Sequence, residues 1–169
     1  GFTHLFNAMT PMGSREPGVV GAALEDPASW CGVIVDGLHV HPATLRTALA
    51  AKPRGRIFLV TDAMPPVGGA NPRFELGDLS IECRDGRCAA SDGTLAGSAL
   101  DMAGAVRNTV VMVGESLADA VRMASTCPAD FLGLEDHGRI APGCRADFAV
   151  LDEGLGVRET WIGGERFAR

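Results

Sequence analysis

An α/β fold is the class this sequence predicts, and three observations carry it. Two short β-branched runs, Cys31-Gly32-Val33-Ile34-Val35-Asp36 and Arg56-Ile57-Phe58-Leu59-Val60-Thr61-Asp62, are continuously apolar rather than alternating, the pattern of strands buried on both faces of a parallel sheet. A stretch of helical character, Pro42 to Ala51, separates them and completes a strand, helix, strand unit. Finally, the 22 Gly and 10 Pro among 169 residues amount to about 19%, against roughly 12% in average proteins, so short elements are joined by many tight connections.

Taken in order, Thr3-His4-Leu5-Phe6-Asn7-Ala8-Met9 reads as the end of a strand running into a loop. The chain lacks an initiating Met, and a truncated start is expected. After the loop Arg15-Glu16-Pro17-Gly18, the pair Asp26-Pro27 is expected to open a short helix ahead of the first apolar run. Pro42 occupies a natural first helical position, and Leu45, Ala48 and Leu49 form the apolar stripe behind it. Residues 73–97 break the alternation: Phe74 to Arg84 and Arg87 to Leu95 read as an inserted antiparallel hairpin or meander. Its Asp85-Gly86 turn would set Cys83 opposite Cys88 on one face. The five cysteines are odd in number and irregularly spaced, against a disulfide framework or a structural zinc site. Buried reduced thiols are the expected state, with a redox or metal role for Cys83 and Cys88 as the alternative.

Helical pattern returns at Ser98-Ala99-Leu100-Asp101, a capping-type start followed by Leu100, Ala103, Val106, Val110 and Val113. Ser116-Leu117-Ala118-Asp119 repeats the signal, with Leu117, Ala120, Val121 and Ala124 on one stripe before Pro128. The tail offers two strands, Phe148 to Asp152 and Arg158 to Ile162, then a turn at Gly163-Gly164.

With 15 Lys+Arg against 21 Asp+Glu the formal charge is −6, which excludes a basic nucleic-acid binder on bulk electrostatics. Hydrophobic residues at 46% and charged residues at 21% describe a globular chain, with one domain and a small appendage as the expectation. No apolar stretch approaches the roughly 20 residues of a membrane helix, and the first residues do not form a signal peptide. A soluble cytoplasmic protein that contacts neither membrane nor nucleic acid is therefore expected.

Chemistry is sought where polar residues end buried strands, because ligands of parallel sheets gather at strand C-termini. His4 and Asn7 follow the first strand-like segment; His4 alone would more often be a structural histidine. Asp36-Gly37-Leu38-His39-Val40-His41 follows the second, and two histidines two apart could chelate zinc on one face of an extended backbone. Against that chelate, His41 precedes Pro42 and sits at the helix start, where it would contact backbone or solvent. Asp62 ends the third, and a carboxylate at the mouth of a buried sheet is costly without a partner, which favours a catalytic or metal-linked role. Arg15 and the backbone of Gly93-Thr94-Leu95-Ala96-Gly97-Ser98 could hold an anionic ligand. The bland alternatives are a surface salt bridge for Arg15 and plain helix capping for Ser98.

Thr3-His4-Leu5-Phe6-Asn7-Ala8-Met9, Arg15-Glu16-Pro17-Gly18, Asp36-Gly37-Leu38-His39, Leu59-Val60-Thr61-Asp62-Ala63 and Gly93-Thr94-Leu95-Ala96-Gly97-Ser98 together resemble, in order and spacing, the N-acetylglucosamine-6-phosphate deacetylase family. Pro142-Gly143-Cys144-Arg145-Ala146-Asp147-Phe148 is similar to the segment by which amidohydrolase-superfamily chains return from barrel to small β domain, so the resemblance covers nearly the whole chain.

The resemblance implies the C-terminal portion of a metal-dependent (β/α)8 TIM barrel over 1–142, with the insertion at about 73–97, and part of a small β-sandwich domain over 143–169. A whole barrel takes about 250 residues, more than this chain has. By family pattern His4 is one ligand of a divalent metal, zinc first and iron second, while a Glu and a second His from earlier strands are absent here, so the isolated chain is expected to be inactive. Asp62 would be the catalytic acid/base in hydrolysis of N-acetylglucosamine 6-phosphate to acetate and glucosamine 6-phosphate. Asn7, the Ala8 backbone, Arg15 and His39 would contact sugar and phosphate, with Arg15 reaching a neighbouring protomer of a homodimer. The backbone of Leu95, Ala96, Gly97 and Ser98 would close over the sugar. His41 has no role by this pattern. The competing readings are another amidohydrolase, dihydroorotase-like or a deaminase, and a non-catalytic folding or assembly fragment that would partner the missing N-terminal half of the barrel.

Overall fold

The structure, a computed structural model, describes residues 1–167. It is a mixed α/β chain. Helix α1 (Gly18–Glu25) leads into strand β1 (Cys31–Val33), helix α2 (Pro42–Ala51) and strand β2 (Ile57–Leu59). Both strands are wholly buried and pair in parallel, Cys31 with Ile57 and Val33 with Leu59, as their continuous apolar character requires. Phe2 adds a parallel bridge on the other side of β1, its amide donating to the Trp30 carbonyl at 2.7 Å and its carbonyl accepting from Gly32 at 2.8 Å. Three neighbouring parallel segments therefore run through Phe2, β1 and β2. The core around them contains Leu5, Ala23, Ile34, Leu45, Leu59 and Ala105.

Pro42 is the first residue of α2 and His41 its cap, the ring Nδ1 accepting the Ala43 amide at 3.1 Å. That role engages His41 with backbone and leaves it outside any chelate with His39. The Asp26-Pro27 pair does not open a helix; it follows α1. Gly18, with φ of +59°, starts α1 where a Cβ would stand 2.5 Å from the Pro11 carbonyl oxygen, and Val20, Ala23 and Leu24 bury its apolar face. Asp26 then ends the helix, its amide bonded to the Ala22 carbonyl and its carboxylate accepting the Ala28 amide at 3.0 Å. An Asp-Pro pair serves as helix stop as readily as start when the side chain is used in a local turn.

After β2 comes a four-stranded antiparallel meander, β3 (Arg73–Leu76), β4 (Leu79–Arg84), β5 (Arg87–Ala90) and β6 (Leu95–Ser98), in sequence order. Its turn places Cys83 against Cys88, and the two are joined in a disulfide, correcting the expectation of reduced thiols. Cys31 and Cys127 are free and buried, and Cys144 is free and half-buried.

Asp101, not Ser98, caps the next helix, its carboxylate accepting the Gly104 amide at 2.6 Å. The single helix expected from Leu100 to Val113 is α3 (Met102–Asn108) continued by a π-helical segment, Thr109–Val113, that ends at Gly114 with φ of +90°. Ser116 caps α4 (Leu117–Ala124) through the Asp119 amide at 3.1 Å. Pro128 does not stop the chain's helices; it lies in the first turn of α5 (Thr126–Leu132), where no amide donor is required. Helices α3, α4 and α5 pack on β2. A second antiparallel sheet, β7 (Phe148–Leu151), β8 (Val157–Ile162) and β9 (Glu165–Phe167), closes the chain.

Candidate active site

The polar residues singled out by sequence follow three neighbouring parallel segments at their C-terminal ends. After Phe2 the chain turns sharply, and His4, Phe6 and Ala8 all take positive φ, 37°, 80° and 52°. None is glycine, so each costs of order 1–3 kcal/mol, strain that survives only where surrounding bonds over-determine it. Those bonds are present: the Leu5 amide donates to the Gly32 carbonyl of β1 at 2.8 Å, and Leu5 is fully buried. The Asn7 amide donates to the His4 carbonyl at 2.9 Å, and its side-chain nitrogen lies 3.3 Å from the same oxygen. His4 is half-buried, and its Nδ1 is sealed from solvent with no hydrogen-bond partner. A partnerless buried imidazole nitrogen is costly unless something outside the chain satisfies it.

Past β1 the chain stays buried through Ile34 and Val35 and reaches Asp36, which is half-buried. There the Asp36 carboxylate gathers three donors: Oδ1 accepts the Leu38 and His39 amides, both at 2.9 Å, and Oδ2 meets His39 Nδ1 at 2.6 Å. Both side chains are 6% exposed. Burial pushes the Asp36 carboxyl up, but the bonds from the His39 amide, the His39 ring and the Leu38 amide outweigh it, and the net displacement is below the ordinary value. Glycine suits the centre of this turn, Gly37, because φ there is +77°; a Cβ would lie 2.5 Å from Met112 Cε, the movable end of a flexible side chain. The helical side of the fold also supports the turn, with the Asn108 side chain donating to the Val35 carbonyl at 2.8 Å.

After β2 comes Asp62, also at positive φ, 53°. Its side chain is exposed, so the expected cost of a carboxylate forced into a buried mouth does not arise; the strain lies in the backbone. What fixes that backbone is β6. The Ser98 amide donates to the Asp62 carbonyl at 2.8 Å, the Ser98 hydroxyl to the Thr61 carbonyl at 2.5 Å, and the Met64 amide to the Ser98 carbonyl at 2.9 Å. Gly97 permits this approach: φ is +68°, and a Cβ there would stand 2.8 Å from the Asp62 carbonyl oxygen. The last strand of the meander, which carries Leu95, Ala96, Gly97 and Ser98, thus sets Gly97 and Ser98 beside Asp62.

Arg15 is exposed and makes no ion pair among the described residues. Nor do the described residues contain a cluster of three or more His, Cys, Asp or Glu able to hold a metal ion, so no complete set of ligands forms around His4 within them. Sequence reasoning did not assign Asp36 a role; its only signal was the short spacing Asp-Gly-x-His, which lets one carboxylate cap the turn and the ring together.

Imidazole, imidazole–carboxylate pair and strained aspartate each follow one of three adjacent parallel segments, at the end of the sheet where α/β enzymes place their ligands. The sequence matches the model of the amidohydrolase family over residues 3–166, and the chain belongs to that family. Among similar proteins, an N-acetylgalactosamine-6-phosphate deacetylase of Shewanella sp. (strain ANA-3) is 43% identical over 165 residues, covering 98% of this chain and 42% of the relative. The N-acetylglucosamine-6-phosphate deacetylase of Homo sapiens is 46% identical over 171 residues, covering 96% and 41%. The crystal structure of N-acetylglucosamine-6-phosphate deacetylase from Pasteurella multocida superposes with a TM-score of 0.94 at 36% identity, covering 99% of this chain and 44% of that one. The chain spans less than half the length of these relatives.

Proposed function

We propose that this chain forms the C-terminal part of a deacetylase that hydrolyses N-acetylglucosamine 6-phosphate to acetate and glucosamine 6-phosphate. In this reading residues 1–142 contribute the last strands and helices of a (β/α)8 barrel, the meander at about 73–97 is an insertion, and 143–169 belong to a small β domain. The observation that carries the reading is the geometry at Asp62: an exposed carboxylate on a strained residue at a parallel strand end, its backbone fastened on both sides by β6.

Asp62 is the acid/base. Its carboxylate takes a proton from the water that adds to the acetamide carbonyl carbon, and it returns a proton to the nitrogen as the C–N bond breaks, leaving acetate and a free amine. A divalent metal, zinc in the first place and iron as the alternative, would supply electrophilic activation of water and carbonyl. The unsatisfied nitrogen of His4 fits a ligand or a ligand's neighbour in such a centre; its co-ligands would come from the part of the relatives that this chain does not span. Asn7, the Ala8 backbone, Arg15 and His39 contact sugar and phosphate, and the backbone from Leu95 to Ser98 covers the sugar. The exposed Arg15 suits a contact across a homodimer. A cytoplasmic location goes with this reading, and no described helix is long and apolar enough to cross a membrane.

The test is acetate release from N-acetylglucosamine 6-phosphate with added zinc, by this chain alone and mixed with the barrel portion it lacks relative to its relatives. N-acetylgalactosamine 6-phosphate serves as the competing epimer and unphosphorylated N-acetylglucosamine as the control. Release from the mixture alone, dependent on the 6-phosphate, is expected. Release from the chain alone would overturn the account of the ligands, and a well-folded mixture inert to both phosphorylated sugars would favour the assembly-fragment reading.

A further inference from the structure

The Asp36–His39 pair is the one fully engaged, nearly buried carboxylate–imidazole contact among the described residues, and the function proposed above leaves Asp36 without a part. Three donors converge on a single carboxylate: two backbone amides on Oδ1 and the ring nitrogen of His39 on Oδ2. An ionised carboxylate only accepts, so the ring nitrogen facing it must carry the proton. The second ring nitrogen, Nε2, makes no hydrogen bond among the described residues and, unlike Nδ1 of His4, is not sealed off. The pair is held as a unit by the turn at Gly37, by Met112 against it and by Asn108 on the Val35 carbonyl.

We propose that Asp36 is a positioning residue that fixes the His39 ring with Nδ1–H on its own carboxylate, so that Nε2 is the atom turned to the 6-phosphate of the substrate. This rests on the proposed reading of His39 as a phosphate contact. With Nδ1–H committed to Asp36, Nε2 can donate to a phosphate oxygen only when the ring is doubly protonated. Phosphate binding therefore completes a line of alternating charge, carboxylate, imidazolium and phosphate, in which both bonds are charge-assisted. An uncharged hydroxyl in place of the phosphate gains nothing from that line, so the pair discriminates a phosphorylated from an unphosphorylated sugar.

The test is a long-range ¹H–¹⁵N spectrum of this chain, whose four histidines are readily assigned by substitution, recorded free and with N-acetylglucosamine 6-phosphate, unphosphorylated N-acetylglucosamine or inorganic phosphate. His39 is expected to carry its proton on Nδ1 in the free chain and to acquire a second on Nε2 when either phosphate-bearing probe is added, but not with the unphosphorylated sugar. Asp36→Asn should abolish the Nδ1 bias and weaken the response to the phosphorylated sugar about tenfold, the loss of one charge-assisted hydrogen bond; Asp36→Glu should restore part of both. A free chain with His39 protonated on Nε2 alone overturns the positioning, and this holds even if Asp36→Asn fails to fold, because it is read on the native chain. The expected tautomer with no Nε2 response to any phosphate-bearing probe overturns the phosphate contact and, with it, the assignment of His39 in the proposed function. Acetate release that fails while both spectral results hold overturns the deacetylase reading without touching the pair.

Discussion

Ser98 fastens the backbone on both sides of Asp62, its amide donating to the Asp62 carbonyl at 2.8 Å and its hydroxyl to the Thr61 carbonyl at 2.5 Å. The same hydroxyl accepts the Leu100 amide at 3.0 Å, and the residue is fully buried. Ser98→Ala removes one donor and one acceptor from a site water cannot readily reach, and an unsatisfied buried group costs about 1–3 kcal/mol. Urea unfolding should register that loss, and amide exchange at Met64 should quicken because its acceptor is the Ser98 carbonyl. An unchanged midpoint together with unchanged exchange would show that the Ser98 hydroxyl does not hold the strand end and that the backbone bonds of β6 suffice.

Asp62→Asn should leave stability nearly untouched, since the side chain is exposed and no described bond uses its carboxylate. In the assembled enzyme it should lower turnover by about 10²–10⁴-fold, the range for loss of a general acid/base, with a modest change in KM. Steady-state kinetics on N-acetylglucosamine 6-phosphate read both parameters. A near-normal kcat removes Asp62 from the chemistry.

What was legible in the sequence was what short-range physics decides. The two buried strands, Pro42 starting a helix, His41 at its entry in contact with backbone, and Ser116 starting another depend on residues a few positions apart, and the structure agrees at each. Ser98 shows the limit. Ser-x-x-Asp reads locally as a cap, yet its hydroxyl is taken by the Thr61 carbonyl, 37 residues away, and Asp101 from the same motif caps the helix instead. The positive φ angles at His4, Phe6, Ala8 and Asp62 left no trace either, because no glycine marks them and only tertiary bonds impose them. Asp36 was visible as a strand end but not as the acceptor of His39, since nothing in Asp-Gly-x-His says which way the turn folds.

The disulfide closes a loop of six residues, for which the chain-entropy account gives about 2 kcal/mol of stabilisation. Replacing Cys83 and Cys88 with Ser should therefore lower stability by about that amount, seen as a drop in the unfolding midpoint that added reductant reproduces in the native protein and not in the variant. Thiol labelling gives an independent check. Burial pushes the Cys31 and Cys127 thiols up, so both stay protonated and slow to react in the folded chain. Half-buried Cys144 should be alkylated first, and reduction should add half-buried Cys83 to the labelled set, while fully buried Cys88 stays slow in the folded chain.

Acidification should expose the Asp36–His39 contact. The folded carboxyl sits below its ordinary value because its hydrogen bonds outweigh its burial, so folding favours the ionised form. A depressed folded pKa contributes stability that is complete above the unfolded value, near 3.9, and is lost as pH falls through the folded value. The window therefore lies below about pH 4, and Asp36→Asn should flatten that part of the stability curve while lowering stability near neutrality, where the wild type keeps all three bonds. Chemical unfolding of both proteins from pH 7 down to pH 3 tests this. Parallel curves for the two would mean that protonating Asp36 leaves its bonds to Leu38 and His39 energetically unchanged.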